Sequence, residues 1–462
     1  MFHLDDTIAA IATPPGEGGI GIIRLSGPGA VTIAEKLFRP SQSLDLHKAE
    51  SHRLYYGHIV ADENTLDEVM LAIMRAPHSY THEDVVEIQG HGSPIIMRTI
   101  LDELLKHGAR PAEPGEFTQR AFLNGRLSLD QSQAVLDVIQ AKTQLSAHYA
   151  LDRLQGKFTQ PLHEVRDQLT ELLAGIGVGI DYPEYEDDAI PQSELISGLQ
   201  SSLTTVNQIL EHAKDGRLLK EGYAIAIVGR PNVGKSTLLN ALLQTNRALV
   251  TSVAGTTRDT LEEFVDIQGV PFRLIDTAGL HKSQDEVEQL GMERTQAALG
   301  NADLVLVLLD MSQPISEQDQ AILQQANSQE HLIVLNKLDL SDLSQVEVIS
   351  KELELDAEKT ISLSAETGKH LEQLKDKLVQ MVWGGELSKH EDVFFLDLRE
   401  KELLRRGQQL LQQAWDTVSA SGTLDLVAIE IQDALEVFGE LTGESASEAI
   451  IERIFAKFCV GK

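Results

Sequence analysis

Gly229-Arg-Pro-Asn-Val-Gly-Lys-Ser236 follows an apolar run, Ala224–Val228, and precedes a helix-forming run, Thr237–Gln244. A strand that enters a glycine-bounded loop and leaves as a helix is the setting of a phosphate-binding P-loop. The glycines let successive backbone N–H groups turn inward and cradle a β-phosphate. Lys235 neutralises charge on the outer phosphates, and Ser236 offers its hydroxyl to Mg²⁺. Asn232, Val233, Gly234 and Thr237 complete the expected cradle.

Working outward, each further piece of a guanine-nucleotide site appears in order. Asp276-Thr-Ala-Gly279 ends a candidate strand, Phe272–Ile275. Asp276 stands where an Mg²⁺-bound water needs a carboxylate, and Gly279 can offer its N–H to the γ-phosphate; Thr277 and Ala278 lie between. Between this motif and the P-loop lies Thr251-Ser252-Val253-Ala254-Gly255-Thr256-Thr257, running on to Arg258-Asp259. Thr257 can supply the second hydroxyl that senses the γ-phosphate through Mg²⁺. Asn336-Lys337-Leu-Asp339 follows the run Leu332–Leu335. The Asp339 carboxylate can accept two hydrogen bonds from the guanine N1–H and N2–H₂ edge, a pattern adenine cannot reproduce. Ser364-Ala365 follows a last short strand, Thr360–Leu363, and its backbone can donate to guanine O6. Together these motifs predict a Ras-like P-loop GTPase domain over 221–383, with further strands at Phe264–Ile267 and Leu304–Leu309.

The hydrolytic machinery departs from the Ras pattern. Leu280 follows Asp-Thr-Ala-Gly, where a glutamine orients water in Ras-like proteins. A glutamate of Asp285-Glu-Val-Glu288 can do that work, or the stretch is a solvated helix start. Arg258 is a candidate arginine finger, or pairs with a neighbour. Asn232 points to another device: in GTPases that use K⁺ in place of an arginine finger, an asparagine at this position helps to bind the ion.

The rest of the 462 residues has a different character. At roughly 100–200 residues per domain the chain has room for two to four domains. Residues 1–124 read as α+β, with strands expected at Thr7–Ala12, Ile20–Leu25, Leu54–Val60, Val69–Met74 and Val85–Ile88. A helix is expected over Ile95–Leu105, ending at Gly108. Residues 125–220 and 384–462 read as helical, broken by the acidic stretch Asp181-Tyr-Pro-Glu-Tyr-Glu-Asp-Asp188. A helical domain interrupted by an α/β domain implies that the GTPase is inserted within it. No apolar run reaches membrane-spanning length, and the N-terminus lacks the basic region of a signal peptide. The single cysteine, Cys459, allows no internal disulfide, and we expect a cytoplasmic location. A formal net charge of −32 favours solubility and repels nucleic acid over most of the surface.

Motifs outside the GTPase core carry a closer likeness. The opening Asp6-Thr-Ile-Ala-Ala-Ile-Ala-Thr13 is followed by Gly18-Gly-Ile-Gly-Ile-Ile-Arg24-Leu-Ser-Gly27. Then come Tyr80-Thr-His-Glu-Asp-Val-Val-Glu87-Ile-Gln-Gly-His-Gly92, Ala112-Glu-Pro-Gly-Glu-Phe-Thr118 and Arg120-Ala-Phe-Leu-Asn-Gly-Arg126. The chain ends Arg453-Ile-Phe-Ala-Lys-Phe-Cys459-Val-Gly-Lys462. In these stretches the sequence resembles the MnmE (TrmE) family of tRNA modification GTPases, over nearly its whole length. The resemblance implies a tetrahydrofolate-binding N-terminal domain that also forms a homodimer, a helical domain, and a GTPase inserted in the latter. It implies GTPase domains that pair during hydrolysis, with K⁺ as activating ion. It also implies an FAD-dependent partner (GidA, also called MnmG), with which an aminomethyl or carboxymethylaminomethyl group is placed on C5 of the wobble uridine of certain tRNAs. A 5-formyl- or methylene-tetrahydrofolate supplies the one-carbon unit.

By the same resemblance Arg24, Glu87, Arg126 and Lys462 match the folate contacts, Arg126 standing where the family commonly has lysine. Asn232, Thr251, Val253 and Thr256 match the potassium site. Ser236 and Thr257 match the magnesium ligands, and Glu288 matches the water-orienting glutamate, with Lys235 beside it in catalysis. Cys459 has two readings: an extension of the apolar stripe Ile451, Ile454, Phe455 and Phe458, or a chemical role at the family terminus. The alternative for the whole chain is a GTP-switched RNA-binding or ribosome-assembly factor. That reading predicts a basic C-terminal module and no folate binding. A stand-alone one-carbon transferase, active without the flavoprotein, is the third reading.

Overall fold

In the computed structural model, which describes residues 5–181, 190–246, 262–275, 300, 302–341, 343–383, 393–444 and 448–462, the alternating runs near the N-terminus pair into a seven-stranded sheet. Its strands are β1 (Ile8–Ile11), β2 (Gly18–Ser26), β3 (Phe38–Pro40), β4 (Arg53–Ala61), β5 (Asn64–Met74), β6 (Val85–Gly92) and β7 (Arg110–Pro111). The order is β3-β4-β5-β6-β2-β1-β7, antiparallel except where β7 joins β1. Side chains alternate between the two faces of a strand. One face buries Ile23, Leu25, Leu71, Ile73, Val86 and Ile88 in a core shared with the helices Ala30–Leu37 and Pro94–Lys106. Arg24 and Glu87, set between those residues and directly opposite each other in the ladder, therefore point from the other face.

Contacts divide the chain into two compact units. The first comprises Met1–Leu136, Arg153–Val206 and Leu403–Lys462. Besides the sheet it holds long helices whose buried residues recur every three or four positions. Leu162, Val165, Leu169, Leu172 and Ile176 do so in Thr159–Asp181, and Val427, Ile431, Ala434 and Phe438 in Leu424–Thr442. Gly407 lets Leu398–Ser419 approach closely, since a Cβ there would stand 2.6 Å from the Phe438 ring.

The second unit comprises Asp137–Asp152 and Asn207–Glu402. Two strands that the sequence reading took as helical territory, β8 (Ala213–Asp215) and, far along the chain, Phe394–Leu396, pair in parallel. Between them lie β9 (Tyr223–Val228), β10 (Glu262–Ile267), β11 (Val270–Ile275), β12 (Leu304–Asp310), β13 (His331–Asn336) and β14 (Thr360–Ser362); Phe394–Leu396 is β15. The six form one sheet in the order β10-β11-β9-β12-β13-β14, parallel except for the β10–β11 hairpin. Its central strands are continuous apolar runs, as required of a parallel sheet buried on both faces. Tyr223–Val228 and Leu304–Asp310 are buried throughout. The segment 137–152 joins this unit through Ser146 Oγ, which donates to Leu219 O (3.1 Å), and the Lys220–Asp137 ion pair (3.0 Å).

Candidate functional site

At the carboxyl ends of β9, β13 and β14 the chain turns through the motifs first read in the sequence, the usual place for a ligand on an open parallel sheet. After β9 the loop 229–234 uses backbone that most residues avoid: φ is +153° at Gly229, +64° at Asn232 and +102° at Gly234. Glycine is required at two of these for a second reason. A Cβ on Gly229 would lie 2.5 Å from Leu308 O, and one on Gly234 would lie 2.3 Å from Asn336 Nδ2. The loop is therefore pressed against β12 on one side and the end of β13 on the other. Val233 is buried beneath it, and the helix Lys235–Asn246 begins at once, with Ser236 and Thr237 in its first turn.

Lys235 Nζ donates to Gly229 O (2.7 Å) and Arg230 O (2.9 Å). Burial holds its ammonium below the ordinary lysine range. Its charge is thus desolvated and aimed into the cradle. Asn336 is buried and serves two loops at once: its Nδ2 donates to Val233 O (2.8 Å), and its Oδ1 accepts from Ala365 N (2.9 Å). Ser364 Oγ donates to Asp339 Oδ1 (2.5 Å), and Lys337, itself at φ +67°, places Nζ 2.7 Å from Asp310 Oδ2. Burial would raise the Asp310 carboxyl. Hydrogen bonds from Lys337 and Ser312 outweigh it and leave that group below the usual carboxylate range. Asn232, Val233, Gly234, Lys235, Ser236, Thr237, Asn336, Lys337, Asp339, Ser364 and Ala365 are so brought to one end of one sheet.

The cradle fits a nucleoside phosphate. It has inward backbone, no Cβ in the way, and one desolvated ammonium. Among the described residues no group of three or more His, Cys, Asp or Glu could hold a metal. Ser236, in the first turn of the helix, offers a hydroxyl of the kind that Mg²⁺ at a phosphate takes beside substrate oxygens and water. Thr251 to Thr257, Arg258, Asp276 to Gly279, Leu280, Asp285 and Glu288 lie outside the described residues.

A second cluster forms in the other unit, on the face of the N-terminal sheet from which Arg24 and Glu87 point, beside the buried Ile8, Ala10 and Phe117. Arg24 Nε and Nη2 both lie 2.8 Å from Glu87 Oε1. The Arg24 guanidinium stands 5.4 Å from the centroid of Tyr80 and 5.6 Å from that of Phe117, while the Arg126 guanidinium stands 4.8 Å from Tyr80. Tyr80 is thus held by two cations, and its hydroxyl meets Thr118 Oγ1 (2.9 Å). Lys462 joins them from the far end of the chain. Burial pushes its ammonium down, Arg24 adds to that effect, and Glu87 opposes it. Of the four residues named from the sequence, Arg24 contacts Glu87 and shares Tyr80 with Arg126, and Lys462 lies within electrostatic reach of Arg24 and Glu87. Tyr80 and Phe117 were not singled out there, although both stand inside the motifs quoted.

The C-terminal tail reaches this cluster by close packing. The helix Glu448–Phe455 buries Ile451 and Phe455, and with Phe458 they pack against Ala121 and Leu127. Gly115 N donates to Cys459 O (3.4 Å), and a Cβ on Gly115 would meet Phe455 O at 2.6 Å. Gly461, at φ +94°, lies so near β1 that a Cβ would stand 2.4 Å from Ile11 O. Cys459 is exposed: the helix has ended four residues earlier, so the cysteine does not extend the apolar stripe.

The family model described as "MnmE helical domain" matches residues 129–459, and the one described as "GTP-binding protein TrmE N-terminus" matches residues 7–126. The chain belongs to the MnmE family of tRNA modification GTPases. Over 99% of its length it is 42% identical to the tRNA modification GTPase MnmE of Lactobacillus helveticus, covering 98% of that protein. It is 43% identical to that of Enterococcus faecalis, again over 99% and 98% of the two chains. The protein of the same name from Carboxydothermus hydrogenoformans is 42% identical, over 99% of this chain and 100% of its own. Among the described residues no helix is long and apolar enough to cross a membrane.

Proposed function

We propose that this GTPase of the MnmE family is activated by K⁺ and works with an FAD-dependent partner of the GidA/MnmG type. Together they add an aminomethyl-type group to C5 of the wobble uridine of certain tRNAs, using a tetrahydrofolate one-carbon unit. The observation that supports the reading is that Arg24, paired with Glu87, and Arg126 both stand over Tyr80, with Lys462 within electrostatic reach of Arg24 and Glu87, in a chain of net charge −32. The chemistry of these groups suits folate. Glu87 can accept from a pterin amino-pyrimidine edge, and the cations can meet glutamyl carboxylates. Arg126 supplies a planar fork in place of lysine, so its reach differs while its charge is kept.

In the GTPase, Lys235 binds the β- and γ-phosphates, Asp339 selects guanine, and Asn336 ties the P-loop to the base-binding loop. Ser236 and Thr257 would hold Mg²⁺, and Asn232, Thr251, Val253 and Thr256 would hold K⁺; these cations supply positive charge against the phosphate oxygens in the transition state. Glu288 orients the attacking water, and Asn232, at left-handed backbone and exposed in the P-loop, is the candidate for the potassium ion. The remaining nucleotide contacts are Ser252, Ala254, Gly255 and residues 276–279. We divide the chain into a folate-binding and dimerising domain (1–124), a helical domain in two parts (125–220 and 384–462) and the GTPase (221–383). The enzyme works as a homodimer in the cytoplasm, with Cys459, exposed three residues before Lys462, as a candidate chemical group.

Two measurements on the full chain test this. GTP turnover in KCl against NaCl at equal ionic strength, with Mg²⁺, should show strong activation by K⁺ that Asn232→Ala abolishes; equal rates in both salts overturn the potassium site. Titration with 5-formyl-tetrahydrofolate should show saturable binding. No binding would favour a nucleotide-switched RNA-binding factor instead.

A further inference from the structure

We propose that Asp319, acting through Arg230, is a positioning residue for the bound nucleotide. It holds the first leg of the P-loop in the shape that grips phosphate. Left-handed backbone at Asn232, between glycines of positive φ, persists only where its surroundings over-determine it. The second leg has such an anchor in Asn336, bonded to Val233 O. The first leg has another, which no motif names. Arg230 Nε lies 3.4 Å from Asp319 Oδ1.

Asp319 stands in the first turn of the helix Glu317–Ala326 and is 1% exposed. Its Oδ2 accepts from Ser316 N (2.9 Å) and Ser316 Oγ (2.8 Å), which fixes the carboxylate plane. Its Oδ1 is buried and accepts no hydrogen bond. Capping the helix uses one oxygen. A buried carboxylate whose other oxygen faces a guanidinium is stable only if that charge is answered. Arg230 answers it, and so is fixed by its side chain. Its carbonyl meets Lys235 Nζ at 2.9 Å, and its neighbour Gly229 is packed against Leu308 O. Any shift of residue 230 displaces the lysine and, two residues on, Asn232.

The test is release of N-methylanthraniloyl-GDP from the full chain, followed by stopped-flow with excess GDP and Mg²⁺, so that no turnover is involved. Arg230→Met and Asp319→Asn should each speed release about tenfold, since losing one partner of a desolvated charge pair acts on dissociation. The double variant should be no faster than either single, because both remove one interaction. Ser316→Ala weakens the helix cap, but the backbone Ser316 N still donates to Asp319 Oδ2 and keeps Asp319 facing Arg230. It should lower thermal stability and leave release at the wild-type rate. Release at the wild-type rate from Arg230→Met overturns the proposal; that residue lies at the rim, so this variant decides even if Asp319→Asn is unstable. Additive single effects, or a Ser316→Ala variant as fast as Asp319→Asn, overturn it too.

Discussion

Replacing Arg120 with methionine should unlock the N-terminal sheet from its flank. Arg120 heads the largest fully buried side chains among the described residues, at 1% exposure. It donates to Asp6 O (3.0 Å), Glu83 Oε1 (3.2 Å) and Glu116 Oε1 (3.1 Å), and it pairs with the Asp6 carboxylate. Arg110 shares Asp6 and Glu116, so three carboxylates are answered by two guanidiniums. Methionine keeps much of the volume and leaves one cation among three acids. Removing one partner from a buried charge network costs about 3–5 kcal/mol, against a whole-domain stability of about 5–15 kcal/mol. Because the chain has several domains, a single unfolding curve is a poor readout. Hydrogen exchange by mass spectrometry isolates the segments concerned, Ile8–Ile11 and Glu116–Leu123. Their protection should fall by at least about a hundredfold, the factor that corresponds to roughly 3 kcal/mol. Loss of less than about threefold would refute the reasoning.

The same network fixes the sign of a pH effect. Burial would raise the carboxyls of Asp6 and Glu116. Hydrogen bonds from Arg110, joined at Asp6 by Arg120, outweigh it and leave both below their ordinary values. A depressed folded-state pKa gives stability above the unfolded value, about 4 to 4.5, that is lost as pH falls through the lower folded one. Wild-type protection in these segments should therefore drop only on acidification below about pH 4. In Arg120→Met it should instead improve between pH 7 and 5, as the crowded acids take up a proton.

Gly461→Ala adds a Cβ 2.4 Å from Ile11 O at φ +94°, a backbone clash that no rotamer relieves. It should lift Lys462 away from Arg24 and weaken 5-formyl-tetrahydrofolate binding about tenfold by calorimetry, with GTP turnover unchanged; unaltered affinity would sink the role given to the tail. His91 places Nδ1 2.7 Å from Asp67 Oδ1, and that hydrogen bond raises its pKa. The stability this adds is present below about pH 6.5 and lost as pH rises through the higher folded value. Asp67→Asn should return the His91 midpoint, followed by NMR of the ring protons, to the ordinary range, and an unmoved midpoint would show that another group holds it.

What the sequence made legible follows from the range of the interactions involved. Apolar runs bounded by Gly, Pro or polar clusters, such as Ile20–Leu25 and Val85–Ile88, appear where expected within β2 and β6, because such punctuation is a local property. Phe38–Pro40, Ala213–Asp215 and Phe394–Leu396 are not legible in the sequence, unlike the equally short Thr360–Ser362, which continues the regular strand–helix alternation before it. The nucleotide motifs were legible because each is a contiguous set of backbone and side-chain requirements. The bond from Asn336 to Val233, 103 residues away, and the pairing of Arg230 with Asp319 needed the sheet order to be seen. The two readings of Cys459 turned on where its helix stops. Periodicity cannot place a helix end to within a turn.

The ladder between Ala213–Asp215 and Phe394–Leu396 has a topological meaning. Two parallel strands cannot be joined by a hairpin; the chain must leave one, travel, and return to begin the other. Here that crossover connection is the entire nucleotide-binding domain. Closing a loop costs entropy that grows only with the logarithm of its length, so the ladder is nearly indifferent to how long the intervening chain is. It asks of that chain only that it return to within about 8 Å of where it left, one strand spacing across and two residues back along the ladder. The seam is therefore general. A domain of other size or chemistry, with adjacent termini, could be spliced between the same six residues.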